Sequence, residues 1–258
     1  MRIVSLRVCS ALCRAQLNRA VLRRRLDGAT RVKIAAETRH ARNCALTAAS
    51  KDAPFEVDIL TGYDTATDLP DHFVDLVHRT VGSAGRLVTE DFIGAEYFAN
   101  WVEKYGTPGQ YLETVAVAVM MVQADTFRLA LGVELRELPA PVEGEPENPD
   151  GALHELAGPH ASWVPTVRPS DVLEHQDDVD AGLLTKAYRG EPQSANIIKQ
   201  LSALPRDHAQ FVTHVGTMYM GTRGGGPNSG SSNADAAITA DQVEFLAARV
   251  SQINECAY

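Results

Sequence analysis

Apolar positions along most of this chain recur every three or four residues, the spacing that lines one face of an α-helix. Asp27 stands before one such stretch (Val32, Ile34, Ala35, Ala36, Ala41) and is placed to cap it. Thr89 is followed by Glu90 and Asp91, acids that suit the positive first turn of a helix. That helix is predicted to run through Phe92, Tyr97, Phe98, Trp101 and Val102 and to stop at Gly106. Thr107-Pro108-Gly109-Gln110 is the clearest start signal, a capping box with proline at the first helical position. The helix it opens is predicted to reach about Leu131 and to end at Gly132. Val115, Val117, Val119, Met120, Met121, Val122, Phe127 and Leu129 spread over most of its faces, so burial is expected. Its β-branched residues would also suit a strand, but its length favours helix.

The periodicity fails between Pro139 and Pro169, where Pro139-Ala-Pro-Val-Glu-Gly-Glu-Pro-Glu-Asn-Pro149 reads as an irregular connector. Helical spacing returns near Ser170, with helices expected at about 170–189, 194–203 and 206–221. A glycine- and serine-rich loop follows at 224–233. A second capping box, Thr239-Ala-Asp-Gln242, opens a last helix with Val243, Leu246, Ala247, Val250 and Ile253 on one face. Strand signals are nearly absent. The expected fold class is all-α, a helical bundle divided into a first helical unit at 1–138, a connector at 139–169 and a second helical unit at 170–258.

Composition narrows the function classes. The 258 residues are 45% hydrophobic and 22% charged, which supports a packed core. The longest uncharged apolar run, Val115 to Val122, is too short to cross a membrane. The net charge of −9 is unevenly spread: residues 1–51 carry a surplus of ten positive charges, which leaves −19 on the rest. A basic arm of this kind suits nucleic acid or an organelle transit signal. Residues 1–51 hold no aromatic side chain for base stacking, and their arginines alternate with apolar positions at helical spacing. The basic segment is therefore expected to lie against acidic helices of the same fold, and no nucleic-acid partner is expected.

Four cysteines in a chain of this length do not make a disulfide framework. Cys9 and Cys13 share a helical face but have no histidine pair at metal-binding spacing. The eight histidines are scattered; His154 and His160 lie with Glu155 in the irregular segment and could hold a metal, His208 and His214 are too far around a helix to share an ion, and all eight are expected to be solvated or hydrogen-bonded side chains. Gly224-Gly-Gly is not followed by the lysine of a phosphate loop, and no Gly-x-Ser-x-Gly occurs. Cys44 and Cys256 stand out, because each follows a helical stretch and is followed by alanine and an apolar residue. Glu244 lies twelve residues before Cys256 on the same predicted helix. A thiolate is the reactive form of cysteine, so a nearby base that takes the thiol proton matters.

The stretch Gln242-Val-Glu-Phe-Leu-Ala-Ala-Arg-Val-Ser-Gln-Ile-Asn-Glu-Cys-Ala-Tyr258 resembles the active-site helix of the carboxymuconolactone decarboxylase-like and alkylhydroperoxidase AhpD-like proteins. In the peroxidatic branch of that family, Glu is followed after eleven residues by Cys-x-x-Cys and then by His. Leu129-Ala-Leu-Gly-Val-Glu-Leu135 is similar to the end of a family repeat. The resemblance implies tandem AhpD-like repeats, the second incomplete, and a helical homo-oligomer in the cytoplasm. It implies thiol-dependent reduction of a small-molecule peroxide, with Cys256 as nucleophile, Glu244 as base and a thiol reductant, and with no metal or cofactor, an activity expected to be weak or lost in this chain. A lactone-type substrate, with decarboxylation, is the alternative within the family, and a non-catalytic binding member is the alternative outside enzymology. The family pattern expects its second cysteine and its histidine beyond Tyr258, so the second site is expected to reduce to Cys256 and Glu244. Aligned on Cys44, the first repeat has Val32 for the glutamate, Thr47 for the second cysteine and Lys51 for the histidine. Cys44 is therefore expected to be the buried, inert cysteine of a degenerate site.

Overall fold

A computed structural model describes residues 24–44, 46–47, 56–83, 93–160, 162–175, 179–194, 196–219 and 240–253. The fold is all-α, with no strand among the described residues. α1 (Gly28–Ala41) starts where Asp27 was expected to cap it: Thr30 donates its backbone N–H to Asp27 Oδ1 at 2.8 Å and its hydroxyl to Oδ2 at 2.9 Å. α2 (Asp71–Ser83) follows Pro70 and buries Phe73, Val74, Val77 and Val81. α3 (Ala95–Lys104) buries Tyr97 and Trp101, and the Trp101 indole donates to His72 O at 3.1 Å.

α4 (Pro108–Ala130) carries the predicted capping box in full. Gln110 N donates to Thr107 Oγ1 at 3.2 Å, and Thr107 N donates back to Gln110 Oε1 at 3.0 Å. Gly132 follows with φ +65°, the left-handed terminator expected there. Val117, Met120 and Met121 are buried, and Val115, Val119 and Val122 pack partly buried against the core. The last turn leaves the core, since Leu129 is 51% exposed. Burial was expected over the whole length, and it holds only up to about Asp125. α1, α2 and α4 pack on one another and form the main core.

The second half is finer-grained than the periodicity suggests. In place of one helix at 170–189 stand α5 (Pro169–Glu174) and α6 (Val179–Ala187). Among its described residues, the segment expected at 194–203 is helical over α7 (Asn196–Lys199) alone. α8 (Pro205–Tyr219) packs against both α6 and α4, and α9 (Ala240–Ile253) follows. Val167, Val172, Ala181, Leu184 and Tyr188 make a second, smaller core. Of the residues 139–169, those described contain only an isolated bridge between Gly158 and Thr166, and they lie across both halves. Asn148 N donates to Arg24 O at 2.7 Å, and His154 N donates to Ala203 O at 3.0 Å. Gly151 (φ +69°) sits so close to the α4 cap that a Cβ there would stand 1.8 Å from Thr107 Oγ1, which only glycine avoids. Among the described residues, no helix is long and apolar enough to cross a membrane.

Candidate active site

Two backbone hydrogen bonds close the turn after α1: Asn43 N donates to His40 O at 3.0 Å and Cys44 N donates to Ala41 O at 3.2 Å. That turn directs Cys44 into the protein, where it is 5% exposed and is a free thiol. Burial pushes its thiol up, as an apolar surrounding must. Opposing this, once the thiol has lost its proton, are the Thr47 backbone N–H, the Thr47 hydroxyl, free to donate to the sulfur when His78 Nδ1 is protonated, and the backbone N–H groups of Leu46 and Asp64. Together they hold the thiol below its ordinary value.

Thr47 links the thiol to a base. Its Oγ1 lies 2.5 Å from His78 Nδ1, on α2, and the far ring nitrogen of His78 lies 2.9 Å from Glu37 Oε1, on α1. All three side chains are buried. Glu37 Oε2 accepts from the Thr67 hydroxyl at 2.7 Å and from the Ala66 backbone N–H at 3.1 Å. With every other group on Glu37 donating, His78 Nε2 must carry the proton shared with the carboxylate, which leaves Nδ1 to accept from Thr47. Burial draws the His78 imidazole below its ordinary value, and Glu37 offsets this only partly. The ring is therefore neutral at neutral pH and has a lone pair available for a proton.

A second buried network keeps His78 in place. The Tyr63 ring tilts over the imidazole with centroids 4.2 Å apart. Tyr63 and Tyr97 both donate their hydroxyls to Asp75, each at 2.8 Å, one turn before His78 on α2. Arg79 donates Nε to the same carboxylate at 3.0 and 3.1 Å, and its terminal nitrogens donate to Glu56 O and Asp58 O, both at 3.0 Å. α2 cannot rotate without breaking this set, so the direction of the imidazole is fixed by hydrogen bonds to two other segments, residues 56–63 and α3.

Of the residues singled out from sequence, the structure places Cys44 and Thr47 in this site. Val32, the expected counterpart of a glutamate, takes no part, and the carboxylate comes from Glu37 on the same helix. Lys51, Cys9, Cys13 and Cys256 lie outside the described residues. Glu244 lies on α9. The sequence reading missed Glu37 and His78, which are 41 residues apart and meet only because α1 packs on α2. The one available signal was the Phe73, Val74, Val77, Val81 stripe, which marks α2 as a core helix and would have set His78 beside it. Among the described residues, no group of three or more His, Cys, Asp or Glu is placed to hold a metal ion. No family model matches this chain, and neither a curated protein nor a solved structure does.

Proposed function

We propose that this protein is a thiol-dependent peroxide reductase of AhpD-like type whose working cysteine is Cys44. The observation that carries this reading is the unbroken chain Cys44–Thr47–His78–Glu37. A thiol held below its ordinary value is joined through one hydroxyl to a neutral, carboxylate-oriented imidazole. The Cys44 proton passes to Thr47 Oγ1 while the Thr47 proton moves to His78 Nδ1, and Glu37 stabilises the imidazolium that forms. The thiolate attacks the outer oxygen of a hydroperoxide and the O–O bond breaks. The proton returns along the same path to the departing oxygen, so that thiol and ROOH become sulfenic acid and ROH. At 5% exposure, Cys44 admits only a small oxidant such as hydrogen peroxide or a short alkyl hydroperoxide. Thr47 stands where a resolving thiol would be needed and cannot form a disulfide. The sulfenic acid is reduced by two equivalents of an external thiol, which yields a disulfide and water, and turnover is slow.

Hydrogen peroxide followed by dimedone and peptide mass spectrometry tests the assignment. The dimedone adduct is expected on Cys44, is lost in Cys44→Ser, persists in Cys256→Ser and forms more slowly in His78→Asn. An adduct on Cys256 alone would move the chemistry to the Cys256–Glu244 pair expected from sequence. No adduct on any cysteine would refute the function.

A further inference from the structure

At the opposite end of α1 from Cys44, some 20 Å away at about 1.5 Å per residue, a buried cluster of charges is short of one anion. Arg31 and Glu113, neither exposed at all, pair directly, and Arg31 also lies 3.4 Å from Asp207 Oδ1. Arg24 Nε lies 3.5 Å and Arg25 NH1 4.0 Å from the same Asp207 carboxylate. Three guanidinium groups thus face two carboxylates away from water. Arg25 is engaged, since it donates Nε and NH2 to Ala152 O at 2.9 and 2.7 Å. Arg24 is held only by its ion pair with Asp207: its side chain is 8% exposed, and its buried Nε has no hydrogen-bond partner among the described residues. It lines a pocket of about 280 Å³. The rest of the wall is almost wholly polar, with Arg206 and Asn148 beside Glu147 and Asp180. Arg206 lies 3.6 Å from each of those two acids, which are half exposed and screened by water.

We propose that this pocket binds a small polar carboxylic acid, a hydroxy or amino acid, with its carboxylate on Arg24. The guanidinium fork of Arg24 matches a carboxylate in two parallel hydrogen bonds, and a single negative charge balances the buried cluster. Glu147 and Asp180, which also line the pocket, accept hydrogen bonds from a hydroxyl or ammonium group of the ligand, and the charged oxygens of a phosphate dianion offer them no such donor. The wall offers almost no apolar surface, so an aliphatic acid gains little there.

Isothermal titration calorimetry of the full chain with L-serine, glycerate, propionate and inorganic phosphate tests this. Serine or glycerate is expected to bind at least tenfold more tightly than propionate, and phosphate not to bind. Arg24→Gln is expected to weaken binding tenfold or more. Because Arg24 is buried, the exposed Glu147→Gln serves as the second variant, expected to keep the fold and to narrow the gap between serine and propionate. No heat from any acid with the folded wild type would overturn the proposal. So would phosphate binding more tightly than the organic acids, or serine binding unchanged in both variants.

Discussion

Replacing Glu37 with glutamine tests the proton path with almost no change of shape. The carboxylate accepts three hydrogen bonds, from His78 Nε2 at 2.9 Å, Thr67 Oγ1 at 2.7 Å and Ala66 N at 3.1 Å. In the reacting state His78 is an imidazolium facing this carboxylate. A hydrogen bond between two such charged groups contributes about 1.5–3 kcal/mol, against about 1 kcal/mol for a neutral one. The amide therefore forfeits roughly 1–2 kcal/mol in the state that carries the thiol proton, about a 5- to 30-fold slower reaction of Cys44. The amide also turns its NH2 toward the Ala66 N–H, so about 1–3 kcal/mol of stability goes with it. Thr67→Val separates the two effects, since it removes a donor to Glu37 without touching His78. The assay is the rate of Cys44 alkylation by iodoacetamide from pH 5 to 9, with calorimetric Tm alongside. Glu37→Gln is expected to slow alkylation and to shift its pH profile upward by about 0.7–1.5 units, whereas Thr67→Val lowers Tm and leaves the profile in place. An unchanged rate and profile in Glu37→Gln would show that His78 does not take the Cys44 proton.

Two further outcomes follow from the buried charges. Glu113→Leu leaves Arg31 buried and poorly matched and deprives the Arg25 backbone N–H of its acceptor at 2.9 Å, so a loss of about 3–5 kcal/mol is expected, or roughly 6–20 °C in Tm; a loss below about 1 kcal/mol by denaturant melts would contradict the burial of that pair. His208 is fully buried and its imidazole is pushed down to about 4 by burial, so it binds no proton in the folded state between its ordinary value near 6.5 and pH 4 while the unfolded chain does. Its contribution is whole above pH 6.5 and declines as pH falls toward 4, by about 3 kcal/mol in all, and His208→Gln is expected to flatten that decline in urea melts at pH 7, 5.5 and 4.5.

Where a local rule governs, the sequence was a sound guide. The Asp27 cap, the Thr107–Gln110 box and the Gly132 terminator each depend on residues within four positions of one another, and each stands where the pattern put it. The second half was harder to read. Leu201 takes a positive φ of 64° and the 194–203 segment holds only one helical turn, an outcome that local spacing does not encode. The candidate site was legible in part. Cys44 and Thr47 are three residues apart and are legible as a pair, whereas alignment on Cys44 points to Val32 and not to Glu37. Helix α1 explains why. It turns Arg31, Glu37 and Thr38 inward beside Ile34 and Ala41, so its buried face is not its apolar face. A reading that equates buried with apolar assigns those three residues to solvent.

That inward polar face also bears on what the core is for. Removing an ion from water costs several kcal/mol even after the protein relaxes around it, and well-packed apolar residues often serve stability as well or better. A core that buries Arg31, Glu37, Asp75, His78, Arg79, Glu113 and Asp207 is therefore poorly explained by stability alone. Asp75 with Arg79, Tyr63 and Tyr97 forms a closed set in which each polar group meets a protein partner, the arrangement expected where only position is being fixed. The Glu37–His78–Thr47 set differs in one respect: followed outward from the carboxylate, it ends on a sulfur atom whose proton it can accept. A purely structural network would be satisfied equally well by a serine at position 44, which donates and accepts at the same place. Cys44→Ser should then match wild type in Tm to within a few degrees while losing all reaction with peroxide. A large fall in Tm, with peroxide reactivity retained on another cysteine, would place Cys44 among the structural residues instead.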